Sequence, residues 1–277
     1  MKKSEKLKFP LRGKYVVMVA PSFIVDFPYP GIISGLKELG FDNVVELTFG
    51  AKLVNKEYHE KLKEPGFFIS SVCPGVVDVV CKKFPQYKDN LIKVDSPMIA
   101  MAKVCKKIYP KHKIAFISPC NYKKIEASKY KLIDFVIDYK ELKNIFLKHK
   151  IKLNPKNKIH FDKFYNDYTK IYPLAGGLSK TAHLKGILKK KQIKKIDGIV
   201  DVMKFLSKQN KKIRFLDCNF CVGACIGGPC INSIEKISKK RKNVLKYLKL
   251  SKREDIPRSK KGLIERAEGI SFVKKSF

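Results

Sequence analysis

The run from Asp217 to Cys230 reads D-C-N-F-C-V-G-A-C-I-G-G-P-C and places four cysteines in the spacing C-x2-C-x3-C-x4-C. Soft thiolate ligands select iron–sulfur clusters, zinc or copper(I). Glycines at 223, 227 and 228 allow the backbone to approach a bulky group closely and to offer it N–H donors. A zinc site or a set of buried thiols stays open as an alternative, although zinc sites usually pair two well-separated C-x2–4-C arms. The run therefore predicts a metal centre, with an iron–sulfur cluster favoured.

The composition indicates a chain that folds around a hydrophobic core and does not cross a membrane. It has 277 residues, 44% of them hydrophobic, which suits one large domain or two lobes. The apolar run Tyr15–Ala20 is far shorter than a membrane span and is stopped by Pro21. We therefore expect a cytoplasmic protein, in which the eight cysteines stay reduced. Cys81 and Cys105 lie in apolar helical patterns and are expected to be buried structural thiols.

The formal net charge of +35 raises the question of nucleic-acid binding. The excess consists almost entirely of lysine, 54 residues against 6 arginines, spread along the chain. Bidentate reading of bases and phosphates favours arginine, and no groove-reading motif is present. The scarcity of arginine and the lack of such a motif disfavour a nucleic-acid partner, and a basic nucleic-acid-binding protein that uses zinc or a cluster structurally is the lowest-ranked hypothesis. The charge is better suited to an acidic partner such as an electron-carrier protein.

Short apolar runs alternate with helical patterns, which predicts an α/β fold with largely parallel sheets. The predicted strands are Tyr15–Ala20, Val44–Thr48, Phe67–Val72, Ile114–Ser118, Ile133–Ile137, Ile196–Val200 and Ile213–Leu216. The predicted helices are Tyr29–Leu39, Glu57–Lys63, Val76–Phe84, Met98–Tyr109, Lys140–His149 and Val200–Ser207. We expect two lobes, each with a small, mostly parallel sheet flanked by helices, and the metal centre in the cleft between them. One lobe would contribute Cys73 and the other Cys120.

The predicted domain boundaries separate residues 14–232, which hold the centre, from a basic helical C-terminal extension at 233–277. Ser233–Leu250 has the pattern of a basic helix, and the residues after it have weak periodicity. We expect a surface helix followed by a loosely held tail.

Three segments resemble the H-cluster domain of the iron-only hydrogenases. Ser70-Ser-Val-Cys-Pro-Gly75 resembles the family's Thr-Ser-Cys-Cys-Pro-Gly, and Ser118-Pro-Cys-Asn-Tyr-Lys-Lys-Ile-Glu126 resembles its Met-Pro-Cys-x-x-Lys-x-x-Glu. Cys221-Val-Gly-Ala-Cys225 resembles its Cys-x-Gly-Gly-Cys. The three occur in the family's order, over roughly Tyr15 to Ser233.

The resemblance implies a [4Fe–4S] cluster and a linked two-iron unit that carries carbon monoxide, cyanide and a dithiolate. It implies that Cys225 bridges the two parts, and that Lys123, Pro21 and Ser22 line the pocket of the two-iron unit. Lys123 would donate a hydrogen bond to a cyanide, and Glu126 would pair with a basic group. The implied catalytic residues are Lys123, Ser22 and Cys225. The implied cluster ligands are Cys73, Cys120, Cys221 and Cys225, with Cys218 and Cys230 as further candidates for metal ligation.

The departures from the family pattern concern proton transfer. The family carries a proton-relaying cysteine just before the first ligand, where this chain has Val72, which cannot transfer a proton. The acidic groups that continue the relay would fall near Tyr58 and Lys61. This combination resembles a divergent, sensory branch of the family.

We therefore expect an oxidoreductase that interconverts H2 with protons and electrons slowly, or a sensor of H2 or redox state. The alternative is a non-catalytic [4Fe–4S] redox or scaffold protein without the two-iron unit. The implied partners are an acidic ferredoxin and the hydrogenase maturation proteins.

Overall fold

The computed structural model describes residues 7–208 and 211–277. Its strands are β1 (Tyr15–Val19), β2 (Asn43–Glu46), β3 (Phe68–Ile69), β4 (Lys113–Ser118), β5 (Phe135–Asp138), β6 (Ile193–Asp197) and β7 (Phe215–Asn219). Its α-helices are α1 (Gly31–Glu38), α2 (Thr48–Lys61), α3 (Pro74–Lys83), α4 (Pro97–Ile108), α5 (Tyr122–Tyr130), α6 (Tyr139–Lys148), α7 (Gly177–Thr181), α8 (Ile199–Ser207) and α9 (Ile237–Ser251). In the part of the chain that is described, no helix is long and apolar enough to span a bilayer.

The strands form two small sheets in which every strand pair is parallel. One sheet has the order β2-β1-β4-β5 and the other the order β3-β7-β6. Parallel strands need crossover connections, and helices supply them here. The predicted α/β class with small, mostly parallel sheets flanked by helices is confirmed.

The cores follow from the two faces of the strands. On β1, Val16 and Met18 face one cluster, which contains residues of α2 and α4, and Val17 and Val19 face another, which contains residues of α1 and α6. Successive side chains of a strand point to opposite faces, so a central strand covered on both sides is apolar throughout. A third cluster packs α3 and α8 against the smaller sheet.

Element boundaries differ from the sequence-based expectation at several places. Helix α2 begins at Thr48, nine residues before the predicted start. In its first turn, Gly50 packs tightly against the Pro97 carbonyl. Helix α5 was not predicted, since its sequence is lysine-rich and has little apolar periodicity. Strand β6 ends at Asp197 because Gly198, with φ of +96°, turns the chain into α8.

The C-terminal segment is held more firmly than expected. Tyr247 on α9 is buried, and beyond that helix Ile256, Ala267 and Phe272 are buried too. Val273 forms a bridge with Val94, so the last residues lie against the main body. The expectation of a loosely held tail was wrong, because isolated apolar residues in a polar segment give no periodic signal of burial.

Candidate metal centre

The carboxyl ends of strands from both sheets meet at one cavity of about 90 Å³. A single water needs about 10–15 Å³ on the same measure, so this cavity is several times larger. Because protein interiors are close-packed, a space of this size is a specific feature of the fold. Its lining is mostly apolar. Its polar lining comprises Ser22, Cys73, Cys120, Lys123, Tyr172, Asp217, Asn219 and Cys225.

Two of the predicted ligands follow directly from strands, one in each sheet. Cys73 follows β3 and is the residue before Pro74, which begins α3. Cys120 follows β4, and its N–H donates to Ser118 Oγ over 3.1 Å while Ser118 Oγ donates to the Cys120 carbonyl over 3.1 Å. This local loop sets the direction of the Cys120 side chain. The serine at the family's methionine position thus has a local structural role.

The other two ligands come from the loop after β7. Gly223, with φ of +80°, precedes the 3-10 turn Ala224–Ile226 that carries Cys225. The Cys225 N–H donates to the Pro173 carbonyl over 3.0 Å, which ties this loop to the far wall of the cavity. Cys221 does not line the cavity, but it is close enough to Cys73 and Cys120 to interact with their charges. The four predicted ligands are therefore neighbours in space.

Burial and repulsion between neighbouring thiolates raise the pKa of three of these thiols, Cys120, Cys221 and Cys225. Burial raises the pKa of Cys221 to about 12, with the charges of Cys120 and Cys73 as further causes. The pKa values of Cys120 and Cys225 are raised by burial and then by Cys73, while Lys123 partly opposes the rise. Cys225 is exposed and lines the cavity, and burial is the largest cause of the rise in its pKa. Metal binding at this site must release protons.

The donor set fits an iron–sulfur cluster. Cys73, Cys120 and Cys225 line one largely apolar cavity and Cys221 lies near them, and four thiolates are what a [4Fe–4S] cluster requires. Within the described ranges, no three His, Cys, Asp or Glu side chains form a group that could hold a single metal ion.

Lys123 on α5 reaches the same cavity. Its Nζ donates to Glu126 Oε2 over 2.6 Å and to the Val72 carbonyl over 3.4 Å. Burial opposes the charge on Lys123, but the carboxylate of Glu126 and the two neighbouring thiols outweigh it and raise the lysine pKa. Glu126 therefore does pair with a basic group, as expected, and that group is Lys123.

The loop after β1 supplies the opposite wall. Pro21 begins a 3-10 helix, and Ser22 Oγ lies 2.7 Å from the hydroxyl of Tyr139. Tyr139 donates its single proton to the Ala20 carbonyl over 3.1 Å, so Ser22 is the donor to Tyr139. Ser22 thus keeps its lone pairs for a donor in the cavity.

The residues that we expect at or near the positions of the family's proton relay are Val72, Tyr58 and Lys61. The apolar side chain of Val72 lines the cavity. The buried Tyr58 hydroxyl accepts from the Ser71 N–H over 2.7 Å and contacts Ser71 Oγ at 3.0 Å. Lys61 pairs with Glu64 outside the cavity.

Sequence reasoning missed Asp217 as a residue of the site. It is the first residue of the cysteine run, lies in β7, lines the cavity and is buried. Its Oδ2 accepts from the Ser179 N–H over 2.9 Å, and burial raises its pKa. The available signal was an acidic residue beside Cys218 at the carboxyl end of a parallel strand.

Cys218 and Cys230 are buried and do not line the cavity. The Cys218 N–H donates to Ser70 Oγ over 2.9 Å, which joins β7 to the loop before Cys73. The Cys230 thiol donates to Asn121 Oδ1 over 3.2 Å. The Cys218 backbone and the Cys230 side chain thus each bond to a loop that neighbours the site.

Comparison with known proteins agrees with this geometry. A model of the family described as iron only hydrogenase large subunit, C-terminal domain, matches residues 13–229. Iron hydrogenase 1 from Clostridium pasteurianum is 24% identical over 272 residues, in a match that covers 76% of this chain and 47% of that protein. The chain thus spans about half the length of this curated relative.

Solved structures share the fold. A variant of [FeFe]-hydrogenase HydA1 from Chlamydomonas reinhardtii aligns with a TM-score of 0.69 at 18% identity, over 93% of this chain and 90% of that one. The structure of HydA(deltaEFG), described in terms of stepwise H-cluster assembly, aligns with a TM-score of 0.68 at 18% identity, over 97% and 91%.

Proposed function

The chain belongs to the family of the iron-only hydrogenase large subunit, C-terminal domain, and from this premise we propose that it binds a [4Fe–4S] cluster through Cys73, Cys120, Cys221 and Cys225. The observation that supports the proposal is that three of these thiols line one cavity at the carboxyl ends of both sheets, with Cys221 close enough to interact with two of them. Lys123, the counter-charge of this cavity, offsets the negative charge of thiolates in a low-dielectric site.

We further propose that Cys225 links this cluster to a two-iron unit held in the remaining space. The walls of that space combine apolar side chains with a charged donor, Lys123, and the hydroxyl of Ser22 beside Pro21. A desolvated ammonium donates strong, charge-assisted hydrogen bonds, which suits an anionic ligand such as cyanide. When bound, such a cofactor would supply the reversible conversion of H2 into two protons and two electrons.

Slow turnover or sensing is the role that this chain's own residues favour. Val72 presents methyl groups where a relay needs an exchangeable proton, and Tyr58 is hydrogen-bonded inside the core. Proton delivery would be slow, while binding would be unaffected. The alternative is a [4Fe–4S] redox or scaffold protein without the two-iron unit.

The proposed partners follow from the same chemistry. The lysine-rich surface suits an acidic electron carrier such as a ferredoxin. Maturation proteins of the hydrogenase type would supply the two-iron unit, and we place the protein in the cytoplasm.

Infrared absorption of the anaerobically purified protein, coexpressed with the maturation proteins, tests the proposal alongside iron per chain. We expect bands of metal-bound carbon monoxide and cyanide with about six irons, the sum of a four-iron and a two-iron group. About four irons without such bands would favour the alternative, and an iron-free protein would rule out both.

The matched variants are Cys120→Ala and Cys81→Ser, since Cys81 is half-buried on α3 away from the cavity lining. We expect the first to lose iron and stability together, because a cluster that joins separate segments stabilises the fold. Cys81→Ser should keep both its iron content and its stability. Normal iron content in Cys120→Ala would remove Cys120 from the ligand set.

A further inference from the structure

A second and much larger pocket, of about 800 Å³, lies outside the cluster cavity. That volume is within the range of small-molecule sites. Its walls come from α2, from the segment around Tyr168, from the end of α7 and from the C-terminal segment after α9. It is distinct from the cluster cavity: Ala51 and Leu178 line the cavity, whereas Asn55 and Thr181, one turn further along the same helices, line this pocket.

The charge of the pocket is positive and largely uncompensated. Lys52, Lys56, Lys252 and Lys261 line it, and none of them forms an ion pair among the residues that the structure describes. Of the two carboxylates in the lining, Glu254 already accepts hydrogen bonds from the hydroxyls of Tyr29 and Tyr165.

Asp167 is the other carboxylate. An anion entering this pocket would therefore meet more ammonium groups than free carboxylates.

A second feature of the pocket is independent of this charge. The rings of Tyr168 and His183 stack with centroids 4.8 Å apart and an interplanar angle of 5°, and both residues are exposed at the pocket.

We propose that this pocket binds a phosphorylated small molecule of the nucleotide class. The lysines would bind the phosphates, and the Tyr168–His183 pair offers a flat surface on which a base can stack. The positive charge and the stacked rings together suit a ligand that carries both an anion and a flat ring, which a nucleotide combines and inorganic phosphate does not.

Equilibrium binding of ADP and of inorganic pyrophosphate to the full chain at fixed salt tests the proposal. We expect ADP to bind about tenfold or more tightly than pyrophosphate, because stacking adds to the charge interaction. Equal affinities would show a general anion surface and overturn the proposal.

Three variants locate the site. The pair Lys56→Gln and Lys252→Gln removes two exposed ammonium groups of the pocket, and we expect ADP binding to weaken about tenfold or more. Tyr168→Ala should weaken ADP binding and leave pyrophosphate binding unchanged. The control pair, Lys148→Gln and Lys242→Gln, removes the same charge from exposed positions outside the pocket. Equal loss in the pocket and control pairs would place ADP elsewhere and overturn the assignment.

Discussion

At the scale of single residues, Asp217 shows what burial beside the cluster cavity does to an acid. Because burial raises its pKa, the folded protein holds this proton more tightly than the unfolded chain. The associated stability is fully present below the unfolded pKa of about 3.9 and is lost as pH rises through the folded value. At neutral pH an ionised Asp217 therefore lowers the free energy of unfolding.

Asp217→Asn should stabilise the cluster-free protein at neutral pH, on the order of 1 kcal/mol, the typical size of a point-mutant effect. The amide oxygen can still accept from the Ser179 N–H. Thermal unfolding measured against pH checks this, with exposed Asp89→Asn as the control. The gain should shrink as the solution is acidified, and a gain that is constant with pH would contradict an origin in ionisation.

At the scale of elements, α9 is attached to the main body through a buried polar network. The Tyr247 hydroxyl donates to Glu46 Oε1 over 2.9 Å and accepts from Lys170 Nζ over 2.8 Å, and Lys170 also pairs with Glu46. Burial raises the pKa of Glu46 and lowers that of Lys170, so each charge depends on the other and on this hydroxyl. A buried charged pair keeps its stability only when its remaining hydrogen bonds are made.

Tyr247→Phe should therefore lower the free energy of unfolding by about 1–3 kcal/mol, the cost of leaving buried polar groups without a partner. Chemical denaturation of the cluster-free protein measures it. Tyr130→Phe, at a half-buried tyrosine outside this network, is the control and should change stability little. If Tyr247→Phe and Tyr130→Phe lower the free energy of unfolding equally, the network does not attach α9.

At the scale of the whole molecule, the net charge of +35 acts on encounter with partners. If electrons arrive from an acidic carrier, the rate of its encounter with the protein should fall steeply as salt is raised. Exposed charges are screened over about 10 Å at 0.1 M ionic strength. Stopped-flow reduction measures the rate, with a small neutral donor as the control, and a salt-independent encounter would argue against electrostatic docking.

The sequence by itself determined the fold class, the parallel sheets and the segments that carry the site. Strands such as Tyr15–Val19 are covered on both faces and are therefore apolar throughout. The prolines and cysteines that follow β3 and β4 fall at strand ends, where parallel sheets place their sites. These signals are local in the chain and can be read without its tertiary structure.

Only the tertiary structure decided which side chains meet. Lysine-rich α5 has no apolar periodicity, and it is placed where Lys123 can contact both Glu126 and the cavity wall. The positions of Asp217 and of the buried C-terminal residues were likewise decided by the tertiary structure. Their positions depend on contacts between residues far apart in the chain, and the free energy of such contacts comes from burial and pairing, which no local pattern records.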